Sequence, residues 1–210
     1  MAGYTYNSLR QAIQDYTDNV EETFVNNIDS FITQTEERVL KSVPLELFRK
    51  NANTNIVAGN KYIPKPTDWL YSFSLSIGSG ADKEFLLNKD TNFVQEFWPD
   101  DSETGFPRYY ADFDLDNFIV APTPDAAYNA ELHYFYRPVS LVDEPSGVTW
   151  LSENAPTVML YGSLVEAYIF MKGEPDMISV YDQRFSQALS NLNGYAQAVE
   201  GLDFYRRSKD

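Results

Sequence analysis

The single histidine of the sequence, His133, is the residue best suited to acid–base catalysis near neutral pH. In a Ser–His–Asp site, the imidazole lies beside a nucleophilic hydroxyl and a carboxylate. The GxSxG turn that positions a serine nucleophile in α/β-hydrolases does not occur in the sequence. We therefore interpret His133 as a surface or half-buried residue of a strand, and we predict no catalytic residue.

The acidic run at 112–116 (DFDLD) resembles the start of a calcium-binding loop. Such a loop requires Gly at its sixth position for a sharp turn and Glu at its twelfth as a bidentate ligand. Counted from the first acid, these positions hold Asn117 and Thr123, so the motif fails and no metal site is predicted. The alternation predicts instead that the acids face solvent while Phe113 and Leu115 point inward.

A third candidate for chemistry is the acidic loop 100–103 (DDSE), because paired carboxylates catalyse glycoside hydrolysis. Trp69, Trp98 and Trp150 add aromatic surfaces on which a sugar could stack. Composition does not place two carboxylates across a substrate, and charge runs in loops are usually solvated. We predict no enzyme and no cofactor, and a carbohydrate-binding module remains open as an alternative function.

The charge balance restricts the partners of this chain. Of its 210 residues, 31 are acidic and 16 are basic, which gives a formal net charge of −15. Tight binding to nucleic acid depends on clustered Lys and Arg, which release counterions from the phosphates. The dense basic cluster is confined to Arg206, Arg207 and Lys209, so we expect no specific binding to DNA or RNA.

Two further classes of protein are disfavoured. The sequence has no cysteine, which excludes disulfides and thiolate metal sites. Its first residues, MAGYTYNSLRQAIQDY, lack the basic and apolar regions of a signal peptide. The longest apolar run, 158–171, is short and interrupted by Gly162, Ser163 and Glu166, so we predict no membrane span.

Both ends of the chain have helical periodicity. Residues 5–43 predict two helices that separate at Asp18–Asn19, the second a long amphipathic helix running from Val20 to a stop at Pro44. Near the other end, Ser152 or Asn154 is predicted to cap an almost entirely apolar helix, which is typical of a buried one. A last helix is predicted to begin at Pro175 and to continue to about residue 200.

The centre of the chain has the period of strands. Short strands are predicted at 55–58, 61–63, 69–77, 85–87, 109–114, 118–121 and 130–136, with a helical turn at 92–97. The aromatic pairs Tyr109–Tyr110 and Phe135–Tyr136 must divide between opposite faces of a sheet. Part of this sheet is therefore expected to be covered on both sides, and a neighbouring subunit is one possible cover.

These elements predict an α+β fold: a helical bundle from the N- and C-terminal helices with a central antiparallel β insertion. We place the bundle at 1–51 and 150–200, the β insertion at 52–149 and a C-terminal tail at 201–210. The βαβ alternation of a parallel, doubly wound sheet does not occur in the pattern.

The segment 107–138, which contains APTPDA and YFYRP, resembles the head-to-tail adaptor (connector) proteins of tailed bacteriophages, of the podophage-type gatekeeper kind. The following WLSENAPTVMLYGSLVEAYIFMKGEPD at 150–176 and the N-terminal SLRQAIQDYTDN extend the resemblance over most of the chain. The family fold, a helical bundle with a β domain, is similar to the one predicted above. A tail-completion or neck protein is a closely related alternative.

The resemblance implies a structural protein of the virion neck, assembled in the host cytoplasm. Such adaptors form a ring, typically of twelve copies, between the portal protein and the tail tube or nozzle. DNA passes through their channel without specific binding, and no membrane takes part. The resemblance implies that the C-terminal segment reaches the portal, with Phe204 and Tyr205 as anchors. The predicted interface residues are these two, Arg206 and Arg207 beside them, and, from the aromatic clusters of the strands, Tyr109, Tyr110, Tyr134 and Tyr136.

Overall fold

The computed structural model describes residues 3–43, 48–78, 80–144 and 146–200. Their contacts divide the chain into a helical unit, formed by both ends of the chain, and a β unit, Phe48–Pro138. Helices towards both ends and mainly antiparallel strands between them confirm the predicted α+β class. That these units are separate domains, with the bounds given above, stays a prediction, and the tail 201–210 lies outside the described residues.

The described part of the chain has seven α-helices, and several of those in the helical unit pack around an apolar one. The seven are α1 (Tyr6–Thr17), α2 (Glu22–Val25), α3 (Ile28–Ser42), α4 (Thr91–Phe97), α5 (Trp150–Asn154), α6 (Pro156–Phe170) and α7 (Pro175–Glu200), of which α4 belongs to the β unit. Helix α6 contacts α1, α3, α5 and α7. Because neighbours lie on most of its sides, its apolar composition has no single polar face, as predicted for a buried helix.

The predicted long helix from Val20 to Pro44 is wrong in its first part. Two helices, α2 and α3, replace it, and they are separated at Asn26 and Asn27. The Asn27 side-chain amide donates to the Thr23 carbonyl (2.7 Å), which takes a backbone acceptor away from a continuous helix. Val20, predicted on the buried face, is 82% exposed, and Pro44 lies outside the described residues.

The start of the second helical segment also differs from the prediction. Thr149 caps α5 through a reciprocal pair of hydrogen bonds with Ser152 (Thr149 amide to Ser152 Oγ 2.9 Å, Ser152 amide to Thr149 Oγ1 3.2 Å). Helix α6 then begins separately at Pro156, without a side-chain cap. Ser152 therefore belongs to the capping box of a preceding short helix, and Asn154 is the last residue of that helix.

Two four-stranded sheets and a two-stranded sheet, formed by the short strands at 104–105 and 123–124, make up the described β unit. The strands are β1 (Arg49–Ile56), β2 (Tyr62–Pro64), β3 (Trp69–Ile77), β4 (Glu84–Phe85), β5 (Leu87–Asn88), β6 (Thr104–Gly105), β7 (Tyr109–Asp112), β8 (Asn117–Ala121), β9 (Thr123–Pro124) and β10 (Tyr128–Tyr136). The first sheet has the order β1-β10-β3-β4 and the second the order β2-β8-β7-β5. A buried apolar cluster draws side chains from both sheets, so their inner faces share one core.

The outer faces of the two sheets differ. On the second sheet, Ile119 and Ala121 of β8 point away from the shared core and pack with Val94 of helix α4. This helix begins at the N-cap Asp90, whose carboxylate accepts a hydrogen bond from the Asn92 amide (2.7 Å). Helix α4 therefore covers the second sheet, whereas the outer face of the first sheet carries exposed aromatic side chains.

Candidate interaction surfaces

The aromatic pair on β7 lies between two layers of the same chain. Tyr110 is buried in the shared core, edge-on to Phe118 with a centroid separation of 5.9 Å. Tyr109 points to the other side and packs on Phe93 and Trp98 of α4 and its C-cap (5.5 and 5.2 Å). The second cover of this strand is thus supplied by α4, where the sequence left a neighbouring subunit as one possible cover.

Strand β10 places the other two candidate tyrosines towards the core. Tyr134 is buried, and its hydroxyl donates to Asp68 Oδ1 (2.8 Å), while Lys50 Nζ donates to Asp68 Oδ2 (2.7 Å). Burial, followed by the bond to Asp68, raises the pKa of Tyr134 to about 12. Tyr136 is half-buried and packs edge-on against Phe48 (6.2 Å). A role of these tyrosines in subunit contacts stays a prediction.

The remaining predicted contact residues lie outside the described part of the chain. They are Phe204, Tyr205, Arg206 and Arg207, and their role stays a prediction.

An aromatic patch on the outer face of the first sheet was not predicted. It consists of Tyr71 and Phe73 of β3 with Phe135 of β10, and Arg49 lies over it. Tyr71 and Phe73 are 58% and 46% exposed. Exposed aromatics beside an arginine are typical of protein–protein contacts.

A β-bulge explains why this patch escaped the sequence pattern. Strict alternation would place Tyr71, Phe73, Leu75 and Ile77 on one face of β3. The register with β10 shifts between His133 and Tyr134, and beyond this shift Leu75 and Ile77 face the core. One extra residue therefore turns the first half of the strand outward, a change that spacing alone does not reveal.

Beside the aromatic patch, Glu131 forms the centre of a polar cluster. Its carboxylate accepts hydrogen bonds from Lys83, from Asn51 (3.3 Å) and from the ring of His133 (3.0 Å). The lysine, followed by the histidine and the asparagine, lowers the pKa of Glu131 to about 2. His133 is half-buried on a strand, as predicted. Its carboxylate partner, Glu131, also accepts hydrogen bonds from Lys83 and Asn51.

The acidic candidates do not converge on a reaction centre. Asp101 pairs with Lys61, and Asp100 accepts a hydrogen bond from the Ser102 amide (2.9 Å). The side chain of Ser102, followed by this amide, lowers the pKa of Asp100. Among the described residues, no group of three or more His, Asp or Glu is arranged to hold a metal ion. The three tryptophans are all half-buried.

The turn between β7 and β8 forms a knob, defined here as residues 113–117. The Asp114 carboxylate accepts hydrogen bonds from the amides of Asp116 and Asn117 (2.8 and 2.6 Å), which fixes the turn and lowers the pKa of Asp114. Leu115 at its tip is 90% exposed and Phe113 is 39% exposed. The expectation that both point inward is therefore wrong, because the strand alternation ends at the turn.

A groove of about 540 Å³ lies in the helical unit between α7 and the segment that joins α5 to α6. Its lining is mainly apolar and aromatic and includes Trp150, Pro156, Tyr161 and Leu192. The charged lining residue is Arg184, whose Nη1 donates to the Tyr161 hydroxyl (2.9 Å). The groove is thus an apolar surface with a cation and no carboxylate among its lining residues.

A comparison with protein families identifies the family to which the chain belongs. The family model described as the SU10 adaptor protein matches residues 4–204 of the chain. The chain belongs to this family. It is therefore a bacteriophage adaptor protein with a structural role in the virion, as the sequence resemblance implied.

The podophage type implied by the resemblance stays a prediction. A search of curated proteins found no match to the adaptor. In the part of the adaptor that the structure describes, no helix combines the length and apolar character needed to cross a bilayer.

Proposed function

We propose that this adaptor forms a ring between the portal protein and the tail and continues the channel through which DNA passes during genome ejection. The proposal rests on the family match, which extends over residues 4–204 and so includes both units of the chain. A ring of twelve copies, as in the resemblance, is the expected assembly. Tail tube or nozzle protein is the expected partner on the other side.

Exposed apolar side chains on both units support an assembly role. On the helical unit, Ile169, Phe170 and Tyr195 are 53%, 44% and 56% exposed. On the β unit, Tyr71 and Phe73 of the aromatic patch and Leu115 of the knob are exposed. Surfaces of this kind mark sites of protein contact, and a subunit within a stack of rings needs contacts with neighbours in its own ring and in the rings above and below.

The predicted contact residues divide into two groups in this proposal. Tyr109 and Tyr136 are half-buried, so each retains surface that a neighbouring subunit can cover. Tyr110 and Tyr134 are buried and act by supporting the sheet that carries the contact surface. The tail residues Phe204, Tyr205, Arg206 and Arg207 are proposed to contact the portal.

The acidic charge is consistent with a channel that does not hold DNA. A net charge of −15 per subunit is repeated around a ring, and carboxylates do not neutralise phosphates. DNA is therefore expected to slide past the subunits without specific binding.

Electron microscopy of particles that contain the adaptor, or of the purified adaptor mixed with its portal protein, tests this function. The expected result is a ring of density below the portal, in which each subunit shows a helical unit and a β unit. Portal alone is the control. Density on the tail side without portal contact would make the chain a tail-completion protein, and absence from both would overturn the proposal.

A further inference from the structure

The knob is built to present Leu115 to a partner. The side chain of Lys65 anchors the base of the knob. It is 3% exposed, pairs with Asp112 (3.1 Å) and donates a hydrogen bond to the Asp114 carbonyl (2.7 Å). Phe113 packs on Tyr62 with a centroid separation of 5.0 Å. The knob is therefore a fixed turn with an apolar tip and carboxylates around it. Its exposed leucine would gain free energy if a partner buried it.

The groove in the helical unit has the complementary character. An apolar surface with one arginine, Arg184, suits a leucine flanked by carboxylates, because the leucine side chain is buried while the guanidinium pairs with an acid. In this structure the knob and the groove are both open to solvent, since Leu115 is 90% exposed and Tyr195 at the groove is 56% exposed.

We propose that the knob of one adaptor subunit inserts into the groove of a second copy, with Leu115 in the apolar groove and Asp114 or Asp116 beside Arg184. The two surfaces lie on different parts of the chain, so the contact is heterologous, and such a contact forms a ring when the rotation between neighbouring subunits closes. This inference rests on the proposed function, of which it specifies the contact between subunits.

Charge selects the second copy's knob over the other candidate occupant, the C-terminal tail. The tail 201–210 contains three bases, Arg206, Arg207 and Lys209, against two acids, Asp203 and Asp210, whereas 112–116 contains three acids and no base. A groove whose charged lining residue is Arg184 favours the acidic segment.

A cysteine pair tests the contact directly, because the natural sequence has no cysteine. The variant L115C/Q187C places one thiol on the knob and one at the groove, on the assembled full-length adaptor with its portal. Oxidation is expected to link subunits into a ladder of covalent oligomers. The matched control V20C/Q187C uses a valine that is 82% exposed elsewhere, and it is expected to give no ladder.

Two substitutions measure the same contact without cross-linking. Leu115→Ser is expected to weaken subunit association by about tenfold or more, from the loss of one buried leucine, whereas Val20→Ser changes it less than about twofold. Arg184→Glu is expected to weaken association as well. Adding Asp116→Arg is expected to restore it, whereas this second change would not restore association if Arg184→Glu had only misfolded the chain.

The outcomes separate this inference from the proposed function. A ladder with loss and rescue of association supports the knob-and-groove contact. Rings below the portal that form without a ladder, and that Leu115→Ser leaves intact, overturn the contact and leave the ring proposal standing. If the F204C/Q187C variant gives a ladder and the L115C/Q187C variant does not, the tail occupies the groove, and the knob-and-groove contact is overturned. No ring and no ladder in any sample overturn both.

Discussion

Glu131 lies beside the aromatic patch in a cluster with Lys83, Asn51 and His133, and these partners determine how it responds to pH. Because the lysine, histidine and asparagine around it favour the carboxylate, its pKa is about 2 in the folded chain. An ordinary glutamate, with a pKa of 4.5, represents the unfolded chain. The folded state therefore gains stability from Glu131 above pH 4.5, and this gain is lost as the pH falls towards 2.

Replacement of Glu131 by Gln is accordingly expected to flatten the acid limb of the stability curve. Chemical unfolding followed between pH 5 and pH 2 measures it, with the exposed Glu96→Gln on α4 as the matched control. The expected result is a smaller decrease in the free energy of unfolding for the Glu131 variant only. Equal slopes for both variants would contradict the assigned role of the cluster.

Tyr134 gives the opposite pH dependence. Its pKa is raised to about 12 by burial, so its stabilising contribution is complete below pH 10 and is lost as the pH rises towards 12. Tyr134→Phe is expected to reduce the alkaline loss of stability. At neutral pH it removes a hydrogen bond to a carboxylate, a cost of about 1.5–3 kcal/mol.

The measurement is the free energy of unfolding at pH 7 and at several values between pH 9 and pH 12. The exposed Tyr195→Phe is the control, and it is expected to leave the neutral-pH stability nearly unchanged. If both variants behave alike at pH 7, the bond from Tyr134 to Asp68 does not stabilise the fold.

For single residues, the sequence correctly predicted which side chains face the core where a strand alternates regularly. The prediction was wrong where the backbone leaves that alternation. Leu132 and Tyr134 face the core as alternation predicts. Leu115 does not, because Asp114 holds a turn in which side chains no longer alternate. A leucine between two acids at a hairpin tip was the available signal, since such turns normally carry polar residues.

Among the elements, α6 has a close contact with two neighbouring helices at Gly162. A Cβ at this position would lie within 3.0 Å of Thr35 on α3 and of Phe185 on α7. The glycine therefore lets three helices pack tightly, at the expense of helix propensity. By contrast, a Cβ at Gly194 on α7 would have nothing within 4 Å.

The two glycines predict opposite effects of alanine. Gly162→Ala is expected to destabilise the fold by about 1–3 kcal/mol through overpacking, although alanine favours the helix. Gly194→Ala is expected to stabilise by about 0.5–1 kcal/mol, because only propensity changes. Thermal unfolding of both variants beside the natural chain measures this, and a stabilising Gly162→Ala would refute the close packing.

The sequence predicted the long apolar helix α6 better than it predicted breaks within helices and strands at the edge of a sheet. α6 was predicted as buried, and its buried residues include Met159, Leu164 and Ala167. The break between α2 and α3 depends on one side-chain hydrogen bond from Asn27, which has no periodic signature. The first residues of β1 are polar because they lie at a sheet edge, so they lack the apolar alternation by which a strand is recognised.

On the scale of the whole molecule, the chain divides into a helical unit and a β unit. The shared core of the sheets draws on residues of the β unit, and Gly162 lies in the helical unit. If the units are separate domains, as the sequence predicted, destabilising one should leave the other protected.

Hydrogen exchange of the Gly162→Ala variant tests this separation. Amides of α3 and α6 are expected to exchange faster than in the natural chain, in proportion to the loss of stability, while amides of β3 and β10 keep their rates. Gly194→Ala serves as the control. A uniform acceleration across both units would instead make the chain one cooperative unit.

Strand β1 ends the first sheet at the side where, in the described residues, no further strand is paired with it. Eight residues of backbone are presented there, enough to template the growth of a fibre. At its start, Arg49 and Lys50 carry positive charge, which opposes edge-to-edge pairing of one copy with another. This charged start of the edge strand favours dispersed adaptor subunits over edge-to-edge aggregation at high concentration.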